Sequence, residues 1–256
     1  MKSQNLRRRN CWGMVLVMGG IVLALAVLGS SPISTRADDP PGPQVIQRDS
    51  VAYGRTYGEW SAAWWQWALS LPVASHPLFD NGDCSTGQSG PVWFLGGKFC
   101  QTGTKCDASA AKRSCSLPAG KALFFPVVNT EDSTLEESTL PGGNPNATIV
   151  DLRKFAESSI DGTADLRVEI DGVPVPNLKN RFRVQSSAFG FTLPDDNLFK
   201  AVEPGTYPQG TYFPAADDGV YVMLAPLPAG PHVLRFHGAF PAFGFTLDIK
   251  YNLSVK

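Results

Sequence analysis

The chain has 256 residues, 22 basic against 23 acidic side chains, and a net charge of −1. A balance this close to neutral has no basic footprint for nucleic acid or an anionic membrane surface, and neither is expected as a partner. Hydrophobic residues make up 43% of the chain, and 21 prolines and 25 glycines punctuate it, a composition that fits a packed domain of short, turn-bounded elements.

Residues 1–37 read as a secretory signal. Lys2, Arg7, Arg8 and Arg9 precede a charge-free apolar run from Cys11 to Gly29, Pro32 breaks the run, and Ala37 supplies the small residue before a cleavage point. The run is nearly long enough to cross a bilayer, so an uncleaved N-terminal anchor is the alternative. Removing the segment takes five bases (with Arg36) and no acids, which moves the net charge from −1 to −6. The expected location is extracellular or periplasmic.

Residues 38–55 are expected to form a leader, proline-rich and without regular structure over 38–44, followed by a first extended segment. Residues 56–256 are expected to form one domain. It opens with "TYGEWSAAWWQWALSLP", which places four of the chain's six tryptophans within eight positions. Thr56-x-x-Glu59 fits a capping box and Pro72 forbids continuation, predicting a helix over 57–71. Trp60, Trp64, Trp67 and Leu71 fall on one stripe at helical spacing, the pattern of a buried face. Trp65 lies on another sector beside the polar strip of Glu59, Gln66 and Ser70, and is read as a second core layer or an exposed contact residue.

Beyond the helix, Cys84, Cys100, Cys106 and Cys115 sit in loop-like sequence. Four cysteines in an exported chain predict two bridges, with the nested pairing Cys84–Cys115 around Cys100–Cys106 favoured over the other two. There is no C-x-x-C pair and no histidine among them, so no metal site is expected. Strands are predicted at 91–97, 121–129 and 164–175, and again through "RFRVQS", "GVYVMLAP", "HVLRFHG" and "FGFTLDIKYNLSV". A second helix is predicted over 149–160 behind Thr148-x-x-Asp151. The acidic doublets Asp195-Asp196 and Asp217-Asp218 read as solvated turns. The expected fold is mainly β: an antiparallel sandwich, immunoglobulin-like or jelly-roll-like, carrying one tryptophan-rich helix and a disulfide loop over 84–115.

"YGEWSAAWWQWALSLP", "GPVWFLGG", "LPAGKALFFPVVN" and "DDGVYVMLAPLPAGPHVLRFHG" together resemble the motifs of a family of secreted, mostly bacterial proteins of unknown function. The resemblance covers most of residues 38–256 and implies a compartment and an architecture, with no catalytic residue to carry over.

No nucleophile elbow and no H-E-x-x-H motif is present, and no cofactor is implied. The candidate ligand-binding set is Trp65, Glu59, Gln66, His76, Asp80 and Glu131, a ring face with polar groups able to hold a sugar. The expected function is a non-catalytic extracellular module that binds a polysaccharide or a surface protein. The alternative is a polysaccharide hydrolase using a carboxylate pair such as Glu59 and Glu131.

Overall fold

The computed structural model describes residues 43–104 and 108–256. Among the described residues, strand outnumbers helix, 38% to 25%, and the strands form two mixed sheets. In chain order the elements are β1 (Val45–Ile46), α1 (Tyr57–Ser70), β2 (Val92–Phe94), β3 (Ala110–Leu117), β4 (Ala122–Ser133), α2 (Thr134–Thr139), α3 (Ile149–Asp161), β5 (Ala164–Ile170), β6 (Val173–Pro174), α4 (Leu178–Phe182), β7 (Arg183–Gln185), β8 (Phe189–Leu193), α5 (Leu198–Val202), β9 (Gly210–Leu224), β10 (Gly230–Phe240) and β11 (Phe245–Val255).

The first sheet is built on β9. One edge of β9 pairs with β4, from Leu123↔Leu224 to Ser133↔Ala215. The other edge is tiled by three short strands, β1, β7 and β8. The second sheet runs β3-β11-β10-β5-β6. Neither is purely antiparallel, contrary to the sequence expectation: β2 runs parallel to β4, and β3 parallel to β11. Parallel pairing needs a long return path, and between β3 and β11 the chain makes most of the domain first. Phe125 of β4 stacks on Phe236 of β10 with centroids 5.3 Å apart, joining the two sheets.

Helix α1 is buried almost all round, with Glu59, Gln66 and Ser70 its exposed side chains. Thr56 accepts from the Glu59 amide while the Glu59 carboxylate accepts from the Thr56 amide, closing the N-terminal box. An indole buried with its ring needs an acceptor for its N–H. Trp60 Nε1 donates to the Ala52 carbonyl at 2.8 Å, Trp64 to Leu95 at 2.7 Å and Trp67 to Thr86 at 3.2 Å. Three loops are thus fixed to one helix. Trp65 is also interior, 7% exposed, its ring edge-on to Trp64 at 5.0 Å. Its Nε1 lies near the buried Tyr221 hydroxyl without a well-formed hydrogen bond.

The leader does not stay apart from the fold. Gln44 accepts a hydrogen bond from the Ala225 amide, and Tyr57 donates to the Ile46 carbonyl. Cys84 and Cys115 are bonded, their Cα atoms 5.9 Å apart, and closing a loop of this size stabilises by about 3–4 kcal/mol on a chain-entropy estimate. The inner pairing, Cys100 with Cys106, falls outside the described residues because Cys106 does. The signal expected over residues 1–37 also lies outside them. Among the described residues no helix is long and apolar enough to cross a membrane.

With both rings interior, Trp64→Ala and Trp65→Ala are each expected to lower unfolding free energy by about 3–5 kcal/mol. Gln66→Ala, at an exposed site with one hydrogen bond to Gly190, should cost about 1 kcal/mol. Urea unfolding of the three variants checks this; a mild Trp65→Ala would return that ring to the surface.

Candidate functional site

The sequence-derived candidates do not converge. Glu59 closes the α1 cap, and its hydrogen bonds to Thr56 hold its carboxyl below the usual carboxylate range. Gln66 donates to the Gly190 carbonyl at 2.8 Å. Trp65 is covered and has no free ring face for a sugar. His76 is fully buried: its Nδ1 accepts from the Leu78 amide at 3.1 Å, which leaves Nε2 to donate to the Ala68 carbonyl at 2.9 Å. Burial pushes its pKa down to about 4, so at neutral pH it is an uncharged brace between α1 and the following turn.

Glu131 corrects the reading most. The strand predicted over 121–129 stops short of it, but β4 continues to Ser133 and buries both Glu131 and Asp132. Burial, with Glu136 beside it, raises the Glu131 carboxyl well above its ordinary range. Glu59 and Glu131 share no partner among the described residues. The Asp217-Asp218 doublet is likewise no turn; it lies in the middle of β9, fully enclosed. Asp217 accepts from Ser61 Oγ at 2.9 Å and from the Tyr221 hydroxyl at 2.6 Å. Asp218 takes two 2.9 Å bonds from Arg183. Ser61 and Arg183 come from distant sequence, which local reading does not reveal.

Asp80 alone leads to an open region. Burial pushes its carboxyl up, yet Arg113 at 2.6 Å and Lys98 at 3.1 Å outweigh that and hold it below its ordinary value. Arg113 was not singled out by any motif. Its Nη1 donates to the Gly97 carbonyl at 2.8 Å and the Tyr251 hydroxyl at 2.8 Å, and its guanidinium lies over the Tyr251 ring. The segment 95–99 is therefore tied down by Trp64 from one side and Arg113 from the other. A Cβ at Gly96 would lie 2.8 Å from the Trp64 ring, so only glycine passes there.

This strap divides two hollows. One, about 200 Å³, is lined by Trp67, Asp80, Arg113 and Tyr251. The other, about 250 Å³, opens between the sheets and is lined by Trp64, Lys98, Phe99, Asn129, Phe240 and Phe245. Its walls are largely apolar, with Lys98 and Asn129 as polar points. Phe240 and Phe245 close the β10–β11 hairpin, whose 3₁₀ tip Pro241–Phe243 turns through Gly244 at φ 60°. Phe243 stands 68% exposed at that tip. A third hollow, about 150 Å³, lies between the tip and Phe155 of α3. Phe155 is itself half-exposed. The sequence carried a signal here, the repeated "AFGFTL" at 188–193 and 242–247. The first copy enters β8, with Phe189 and Phe191 buried, whereas the second turns the hairpin and exposes its ring.

No family model matches the chain, and no curated protein does. Two solved structures align over much of it. The cysteine protease inhibitor EhICP2 from Entamoeba histolytica is 10% identical, with a TM-score of 0.22, over 64% of this chain and 95% of that one. PbICP-C, solved in complex with falcipain-2, is 11% identical with a TM-score of 0.25, over 65% and 100%. At those scores neither bears on fold or function.

Arg113→Ala is expected to destabilise by about 2–3 kcal/mol, since it strips partners from the Gly96 and Gly97 carbonyls and from Asp80 together. Arg113→Lys should recover less than half of that, because an ammonium lacks the planar fork that reaches all three. Thermal unfolding of the pair checks both.

Proposed function

We propose that the protein is a secreted, non-catalytic binding module that takes an apolar side chain of a protein partner at the β10–β11 tip. The observation that carries this reading is the exposed Phe243 on the rim of the hollow facing Phe155, which shares Phe240 as a wall with the inter-sheet hollow. Aromatic rings at a rigid tip give large contact area at low entropic cost. A polysaccharide partner is less well served. The five tryptophans among the described residues are all buried, so none offers a sugar a stacking face, and the inter-sheet hollow has few polar groups for hydroxyls. The hydrolase alternative loses its carboxylate pair, since Glu59 and Glu131 are committed to different neighbours.

Export is supported by the basic-then-apolar opening of the sequence and by the Cys84–Cys115 bond, which suits an oxidising compartment. In the same reading residues 1–37 serve as the signal. The chain then belongs with the secreted bacterial proteins whose motifs it resembles. The Phe125–Phe236 stack supports assigning the sheets to a sandwich of the immunoglobulin-like or jelly-roll-like kind.

Screening the purified protein against a random-peptide display library and a glycan array side by side tests the reading. Peptides with aromatic or aliphatic anchors should be selected, and Phe243→Ser should weaken them about tenfold or more while leaving thermal stability near wild type. Glycans bound in a Phe243-dependent way would replace the protein partner with a polysaccharide. Glycan turnover would make the protein a hydrolase.

A further inference from the structure

The interior at the far end of β4 gathers acids from three parts of the chain. Glu131 and Asp132 come from β4, Glu136 from α2, and Glu203 from the segment after α5. Glu131 and Glu136 are 7% and 5% exposed, and Asp132 is buried too. Ser133 caps α2 and donates its hydroxyl to Glu136 Oε2 at 2.7 Å. Tyr207 donates to Glu203 Oε2 at 2.8 Å. A Cβ at Gly205 would sit 2.5 Å from Thr139 Cγ2, so the 203–207 turn lies directly on the end of α2. Glu131 Oε1 is buried and accepts from no donor.

The surroundings supply no counter-charge. None of the four carboxyls enters an ion pair among the described residues. Glu137 of α2 faces Asp132 as a further acid. Asp217 of β9 stands opposite Glu131 in register, but its own carboxyl is held by Ser61 and Tyr221. Arg153 of α3, which packs over the same two strands, donates to the Ser186 carbonyl and to none of these carboxyls. No three acidic, histidine or cysteine side chains among the described residues are placed to hold a metal ion. Two buried carboxyls in contact, without a cation, stay together only by sharing protons.

We propose that the junction of β4, α2 and the 203–207 turn is a proton-held latch, packed when Glu131, Glu136 and their neighbours are protonated and loosened when they ionise.

Burial raises Glu131, Glu136 and Glu203, and brings Asp132 up to about 7. An acid whose folded-state pKa is raised binds its proton more tightly in the folded chain. Its cost is therefore absent below the ordinary carboxylate range and grows as pH rises from about 4 through its folded pKa. His76 acts in the opposite sense: its lowered folded pKa removes stability as pH falls from 6.5 towards about 4. Whole-molecule melting mixes the two, so the test must be local.

Amide hydrogen exchange, corrected for the intrinsic rate, is measured at about pH 5 and about pH 8 on wild type and on Glu131→Gln/Glu136→Gln. In wild type, protection over 131–139 and 203–207 should fall about tenfold or more at the higher pH while β10 and β11 keep theirs. The double variant should hold its protection at both. Should that variant fail to fold, Glu203→Gln is measured instead and should show a smaller loss than wild type. Equal wild-type protection at both pH values overturns the latch. So does recovery at the higher pH on adding millimolar calcium, because a cation would then be the occupant.

Discussion

A buried indole N–H without an acceptor costs about 1–3 kcal/mol, and three loops of this protein are placed by meeting that demand. Trp60, Trp64 and Trp67 reach the carbonyls of Ala52, Leu95 and Thr86 from a single helix. Because α1 is enclosed on nearly every side, the helix and the three loops hold one another in register. The 95–99 strap follows from this, and with it the wall between the two hollows. Moving Trp64 would move Leu95, and the inter-sheet cleft would change shape with it.

The long β4–β9 pair carries two contrasting environments. Towards Leu123 and Leu224 it is an apolar core strand pair, stacked on the second sheet through Phe125. Towards Ser133 and Ala215 it brings Glu131, Asp132, Asp217 and Asp218 inside. Two of these are satisfied outright, Asp218 by the Arg183 fork and Asp217 by hydroxyls. Glu131 and Asp132 are satisfied only in part. The same ladder is therefore rigid at one end and dependent on solution conditions at the other.

Signals that act over a few residues were legible in the sequence. The Thr148-x-x-Asp151 box marks the start of α3 because its hydrogen bonds span one turn, and the outer cysteines bridge as their flanking elements suggest. What depended on distant partners was not legible. Asp217 and Asp218 look like turn residues until Ser61 and Arg183 are placed beside them. Trp65 sits off the tryptophan stripe, and only a structure that wraps α1 on both sides buries it. Arg113 carries no motif, since its role comes from carbonyls 16 and 17 residues away in sequence. In the candidate site, Asp80 is visible among the polar candidates, whereas the aromatic hairpin tip leaves no trace in the sequence beyond the repeated "AFGFTL".

β11 lies between β3 and β10 in the second sheet. The strand that completes the middle of that sheet is thus the last of its members to leave the ribosome. Until residues 245–255 are in place, β3 has no ladder partner and β10 lacks one of its two neighbours, so that sheet closes only with its last strand. The first sheet depends in the same way on β9, the last of its own strands in the chain and the partner of β1, β4, β7 and β8. Each sheet is thus completed through its middle by the last of its own strands, and the hairpin that bears Phe243 belongs to the sheet completed later in the chain.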